Sequence, residues 1–342
     1  SGPEGTSATR RNADILARAA LARDPLNVSA VATLGINAQV RGDTVAARHA
    51  FAYASMLTRR DYRTQLWAIE DAVERGSSVD ALYHYDIALR THRTAPALLF
   101  PVLARAIEVP EVRSSAISLL MQRPPWGNSF LGYLSGSASP AAAGLMTRAL
   151  LARGYHVPPT AMDNMIGSLV KAGDISLAWQ VYTAIHRDAS RVASRAPNFT
   201  QPGIAASAFD WNPINDGAVS ASIDDYGERH MLTFAISSGG DGIVAQQLQY
   251  PLPGRYVLTG ETVDIHQPPS SRPYWALVCL NGRQLGRVEI VVDGDRGRFS
   301  GAFIIPAECS GAWLRLIARP SDALDGVTGS IVTARLQRAG EG

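Results

Sequence analysis

The side chains with the most distinctive chemistry lie in the C-terminal part of the sequence: Trp211, Tyr226, Arg229, His230, Arg272 and Tyr274, with Tyr250, Trp275 and Trp313 near them. This mixture suits sugar recognition. A pyranose presents aligned C–H groups on its face and hydroxyls on its edge, so an aromatic ring stacks on the face while Arg or His contacts the edge. The first six are the candidate glycan-binding residues. Alternation from position 274 puts Trp275, Leu277 and Cys279 on one face of a strand and Tyr274 on the other, so Trp275 is expected in the core and Tyr274 at the surface.

Other chemistries find less support. Asp224-Asp225 and Asp293-Gly294-Asp295 offer oxygens of the kind a structural Ca²⁺ takes, but neither has the ligand count of a recognised loop. Asp-Gly is first of all turn chemistry. The seven His residues are scattered, with no pair at i, i+4 beside a Glu, so no zinc site and no cofactor is expected. No Gly-x-Ser-x-Gly elbow, phosphate-cradling loop or dinucleotide fingerprint occurs. Glu228, Asp264 and Glu289 are carboxylates of the type a glycosidase pairs across one bond, yet nothing in the sequence brings two of them together. The expectation is a protein without catalytic residues. The alternative is a polysaccharide-modifying hydrolase or lyase with its site in the C-terminal module or at the domain junction.

The candidates must be positioned by strands. After Phe209-Asp210-Trp211 the apolar period is two, with strand-like runs at about 231–237, 243–250, 255–265, 274–281, 285–292, 298–305, 312–319 and 328–337. Turn clusters separate them, Asn281-Gly282 being the sharpest hairpin signal. About eight strands without a helical run predict an antiparallel β-sandwich of jelly-roll type over 208–338. The only two cysteines, Cys279 and Cys309, both fall in it. One disulfide in an oxidising compartment fits this placement; two buried free thiols are the other reading.

Upstream, over 8–188, the pattern is helical and repeats every 34 residues. Ala47, Phe51 and Ala54 recur as Ala81, Tyr85 and Ala88, and stepping back by the same interval finds Ala13, Ala17 and Ala20. Leu34-Gly35 supplies an apolar knob and then a position without a side chain. Gly42-Asp43 makes the turn that follows, and Gly173-Asp174 precedes Ala178 and Tyr182 at the same spacing but out of phase. About ten helices are read from residue 8 to about 188; several between about 94 and 155 do not match the repeat, and prolines from Pro96 to Pro159 mark the boundaries between them. A helical-repeat solenoid is predicted. A segment over 189–207 with Pro197, Pro202 and Gly203 reads as a linker, and Ser1-Gly2-Pro3, within an unstructured 1–7, as a cloning remnant.

Charge narrows the partners. Residues 1–197 carry 21 basic against 15 acidic side chains and the remainder 11 against 15, so +6 is followed by −4. The basic residues are dispersed over successive helices without a stripe, which argues against nucleic acid. No run of about 18 apolar residues spans a bilayer, so membrane attachment is expected only through a segment outside this sequence.

The repeat residues Leu34, Gly35, Ala47, Phe51, Ala54, Ala81, Tyr85, Ala88, Ala178 and Tyr182 resemble the tetratricopeptide repeat family. The strings Leu252-Pro253-Gly254-Arg255-Tyr256-Val257-Leu258, Tyr274–Cys279 and Ile305-Pro306-Ala307-Glu308-Cys309 resemble carbohydrate-binding-module-like sandwiches. Together they look like bacterial tetratricopeptide proteins associated with exopolysaccharide synthesis and export. That resemblance implies a periplasmic scaffold, held in some cases at the inner membrane, whose helical face binds a protein partner. Its sandwich would contact a polysaccharide or another assembly component.

Overall fold

The computed structural model describes residues 6–136, 139–200, 207–227, 229–322 and 324–340. Ser1-Gly2-Pro3, Pro202, Gly203 and Glu228 lie outside them. The chain forms two compact units, Ser1–Leu150 and Leu151–Gly342.

The first unit is helical: α1 (Ser7–Arg23), α2 (Val28–Val40), α3 (Thr44–Leu57), α4 (Tyr62–Glu74), α5 (Ser78–Thr91), α6 (Ala95–Ala106), α7 (Pro110–Leu120), α8 (Gly127–Leu134) and α9 (Pro140–Ala152). A recurrent device starts the second helix of a hairpin. Gly42 and Gly76 take positive φ, and Asp43 and Ser77 then accept a hydrogen bond from the backbone N–H three residues on. The 34-residue echo marks the core, because Ala47, Phe51, Ala54, Ala81, Tyr85 and Ala88 are all buried. Gly35 explains the position without a side chain: a Cβ there would lie 2.8 Å from the Phe51 ring, which stacks on Trp67 at 4.5 Å.

The second unit begins with one more hairpin, α10 (Pro159–Lys171) and α11 (Ile175–Thr183), and continues into two antiparallel sheets. The strands are β1 (Asn212–Pro213), β2 (Val219–Tyr226), β3 (Arg229–Ile236), β4 (Gly242–Gln249), β5 (Gly254–Val263), β6 (Tyr274–Cys279), β7 (Gln284–Glu289), β8 (Val291–Asp293), β9 (Arg296–Ile305), β10 (Ala312–Ala318) and β11 (Val327–Arg338). One sheet has the order β1-β4-β10-β6-β7 and the other β2-β3-β11-β5-β9-β8. The architecture is therefore α followed by a β-sandwich. The sequence pattern missed β1 and β2 and merged β7 with β8. Val219–Tyr226 ends in polar residues and lies at a sheet edge, where alternation is weak.

The sandwich core is built on a file of rings: Phe199 to Trp211 at 5.3 Å, Trp211 to Trp275 at 5.7 Å, and Trp275 to Phe299 at 5.6 Å. Asn281-Gly282 makes the β6–β7 turn with Gly282 at φ 86°, and Arg283 N–H donates to Asn281 Oδ1. Cys279 and Cys309 are joined by a disulfide with Cα atoms 5.6 Å apart. Among the described residues, no helix is long and apolar enough to cross a membrane.

Candidate functional site

The five-stranded sheet turns Tyr274, Trp313, Arg315 and Ile317 away from the core. In β10 the buried residues are Ala312, Leu314, Leu316 and Ala318, so the alternate positions face outward. Register then defines rows across this outer face. Gln246 of β4, Arg315 of β10, Ala276 of β6 and Arg287 of β7 form one; Ile317, Tyr274 and Glu289 form the next. Trp313 lies four residues along β10 from Ile317, so the two aromatic rings of this face start roughly 13 Å apart along the strand.

The Arg319 guanidinium sits over the Tyr274 ring at 4.6 Å, and Arg287 lies 6.0 Å from the same ring. Both pair with Glu289, at 2.7 and 3.2 Å, and Arg319 also donates to the Pro269 carbonyl. Arg315 lies 5.6 Å from the Trp313 ring and donates through Nε to Gln246 Oε1 at 3.1 Å. Partial burial lowers the pKa of this guanidinium. The face thus carries two partly exposed rings, Tyr274 and Trp313, with guanidinium groups beside them, the kinds of groups that stacking and edge contacts with a polyhydroxylated ligand use.

The six sequence candidates do not converge. Trp211 is corrected: it is fully buried, donates through Nε1 to the Ala196 carbonyl and packs on Trp275, so it is a core residue with no surface to offer a sugar. Tyr274 belongs to the face just described. Arg272 precedes it and donates to the Gln267 carbonyl at 2.6 Å. Tyr226 and Arg229 are register partners at the β2–β3 end of the opposite sheet, and Tyr226 is exposed. Neighbouring His230 pairs through Nδ1 with Asp225 Oδ1 at 2.5 Å. Arg229 lines a cavity of about 480 Å³ with Glu261, Asp293, Arg296 and Arg298 on the outer side of the six-stranded sheet. The candidates therefore divide among the core and two opposite surfaces.

Among the described residues, no three His, Cys, Asp or Glu side chains gather in a way that could hold a metal ion. Asp224 is engaged by Ser222 and Thr233, and Glu289 by the two arginines. Sequence reasoning missed Arg315, Gln246, Arg287 and Arg319. Alternation in 312–318 could have marked Trp313 and Arg315 as one face, but only pairing shows which strands lie beside them.

Fold and face together define a helical-hairpin array followed by an antiparallel β-sandwich with an aromatic and cationic sheet surface. No protein-family model matches the sequence, and no curated protein matches it. Solved structures similar to it include a carbohydrate-binding module of family 4, at 13% identity and TM-score 0.32, covering 42% of this chain and 98% of that one. A xylan-binding family 22 module of Paenibacillus barcinonensis shows 10% identity and TM-score 0.27 over 37% of this chain and 84% of that one. A family 61 module in complex with β-1,4-galactotriose shows 15% identity and TM-score 0.28 over 37% and 88%.

Proposed function

We propose that this protein is a non-catalytic adaptor that holds a polysaccharide on the outer face of its five-stranded sheet and a protein partner on its tetratricopeptide-like helices. The observation that carries the glycan half is the outward pair Tyr274 and Trp313, each with a guanidinium close to its ring. For the protein half, the helical unit has two grooves, of about 520 and 440 Å³, that share Ser55 and His84; Met56 and Tyr83 of the first are exposed. The disulfide favours an oxidising compartment, as expected for a periplasmic component of exopolysaccharide synthesis or export. A structural Ca²⁺ plays no part in this reading.

Titration calorimetry with oligosaccharides tests the glycan half. Saturable binding that falls at least tenfold in Trp313→Ala and Tyr274→Ala supports it, and binding unchanged in both removes it. The alternative, a hydrolase or lyase, is tested on the same polysaccharides by release of reducing ends or unsaturated products. Either product would replace the adaptor reading with an enzyme.

A further inference from the structure

The outer face of the five-stranded sheet is unevenly charged, and the imbalance bears on what it binds. Three arginines, Arg287, Arg315 and Arg319, lie on this face, and among the described residues the ion pairs they make are all with one carboxylate, Glu289, which pairs with Arg287 and Arg319. Two of the arginines share that carboxylate, and Arg319 has a carbonyl as well. Among the described residues Arg315 forms no ion pair; its Nε–H donates to Gln246 and its other donors meet no acceptor. Its neighbours explain why. Along β10 they are Trp313 and Ile317, and across the sheet Gln246 and Ala276, none of them acidic.

The background makes this unusual. Residues 198–342 carry 15 acidic against 11 basic side chains, so a local excess of positive charge on one face runs against the net charge of its surroundings. Arg315 is only partly exposed, so its charge gives up hydration without gaining a counter-ion. Sugar hydroxyls can accept its hydrogen bonds but cannot neutralise it. A carboxylate does both, since the guanidinium fork matches two carboxylate oxygens.

We propose that this face recognises an acidic glycan, with Arg315 receiving the carboxylate of a uronic acid whose ring lies against Trp313. The assignment rests on the sheet face being the glycan surface. It adds a substrate class to that reading and a residue that sets it. The charge excess would also speed encounter with a polyanion, an effect that salt weakens.

The experiment is calorimetry on the full chain with three probes: trigalacturonate, its methyl ester, and the neutral galactotriose. Wild type is expected to bind the acid about ten- to a hundredfold more tightly than the ester, the range a charged hydrogen-bonded contact supplies. Arg315→Gln should bring the acid-to-ester ratio close to one. Arg315→Lys should leave an intermediate ratio, because charge remains without the fork. Raising salt should weaken the acid alone. Unfolding midpoints establish that both variants are folded, and if Arg315→Gln is not, the lysine variant decides. Equal binding of acid and ester, or a ratio unmoved by both substitutions, overturns the assignment while leaving the sugar face in place. Failure of all three probes to bind overturns the assignment and counts against the sugar face together.

Discussion

Replacing Asp210 with Ala is expected to destabilise the second unit by about 3–5 kcal/mol, the usual cost of removing one partner of a buried ion pair. The magnitude follows from what the carboxylate holds. Oδ1 accepts from the Tyr182 hydroxyl and from Arg195 Nη1, both at 2.7 Å, and Oδ2 accepts from Ser207 N–H and Oγ, both at 3.1 Å. The Asp210 and Arg195 side chains are 11% and 17% exposed, so water cannot readily replace either contact. Among the described residues, Arg195 without Asp210 retains one carboxylate partner, Asp188, at 3.4 Å and 72% exposed. Burial, and then the Asp210 charge, push the Tyr182 hydroxyl well above its usual pKa, so it stays protonated as a donor. Tyr182→Phe leaves the ion pair intact but removes a hydroxyl that donates to Asp210 and accepts from Arg195, and should cost about 1.5–3 kcal/mol, less than the carboxylate. Chemical unfolding followed by tryptophan fluorescence measures both, since Trp179 and Trp211 flank the network. An Asp210→Ala variant within 1 kcal/mol of wild type by that estimate, or a Tyr182→Phe variant just as costly, would refute the reasoning. Adding Arg195→Met to Asp210→Ala should recover much of the loss, because the stranded charge is then gone.

Three further outcomes are expected. Gly35→Ala puts a methyl 2.8 Å from a Phe51 ring already stacked on Trp67, and should lower helical-unit stability by about 1–3 kcal/mol in thermal unfolding. Replacing Cys279 and Cys309 together with Ala opens a loop with sequence separation 30 and should cost about 3–4 kcal/mol; wild type should show no reactive thiol when unfolded without reductant. Asp163 has a buried Oδ2 without a partner, and burial followed by the Asp210 charge raises its pKa above 3.8. For a carboxyl with a raised folded pKa, the stabilisation is present below the unfolded value and lost as pH rises through the folded one. Asp163→Asn should therefore be more stable than wild type at neutral pH, by about 1 kcal/mol, with the gap closing toward pH 3 in denaturant titrations.

Much of the fold was legible because its signals are local. The Gly-then-cap turns at 42–43 and 76–77 need only backbone geometry, and the Ala-x3-aromatic-x2-Ala pattern needs only helical periodicity. Strand alternation separated Trp275 from Tyr274 correctly for the same reason. The candidate site was far less legible. Trp211 looked like a sugar platform because exposure is not written in a residue type, and the ring file from Phe199 to Phe299 that buries it is assembled from four distant segments. Tyr226 and Tyr274 looked equivalent, yet they lie on opposite sheets.

The sequence by itself determined the two kinds of secondary structure, their order and most of the core, since hydrophobic period and turn chemistry act over a few residues. Tertiary structure decided which residues share a surface. Register across β4, β10, β6 and β7 brings Gln246, Arg315, Ala276 and Arg287 into one row, although they span 70 positions of the sequence. It also grouped α10 and α11 with the sandwich, where Tyr182, a repeat-pattern aromatic, reaches Asp210. Both outcomes depend on pairing between distant segments, and no local signal along the chain encodes it.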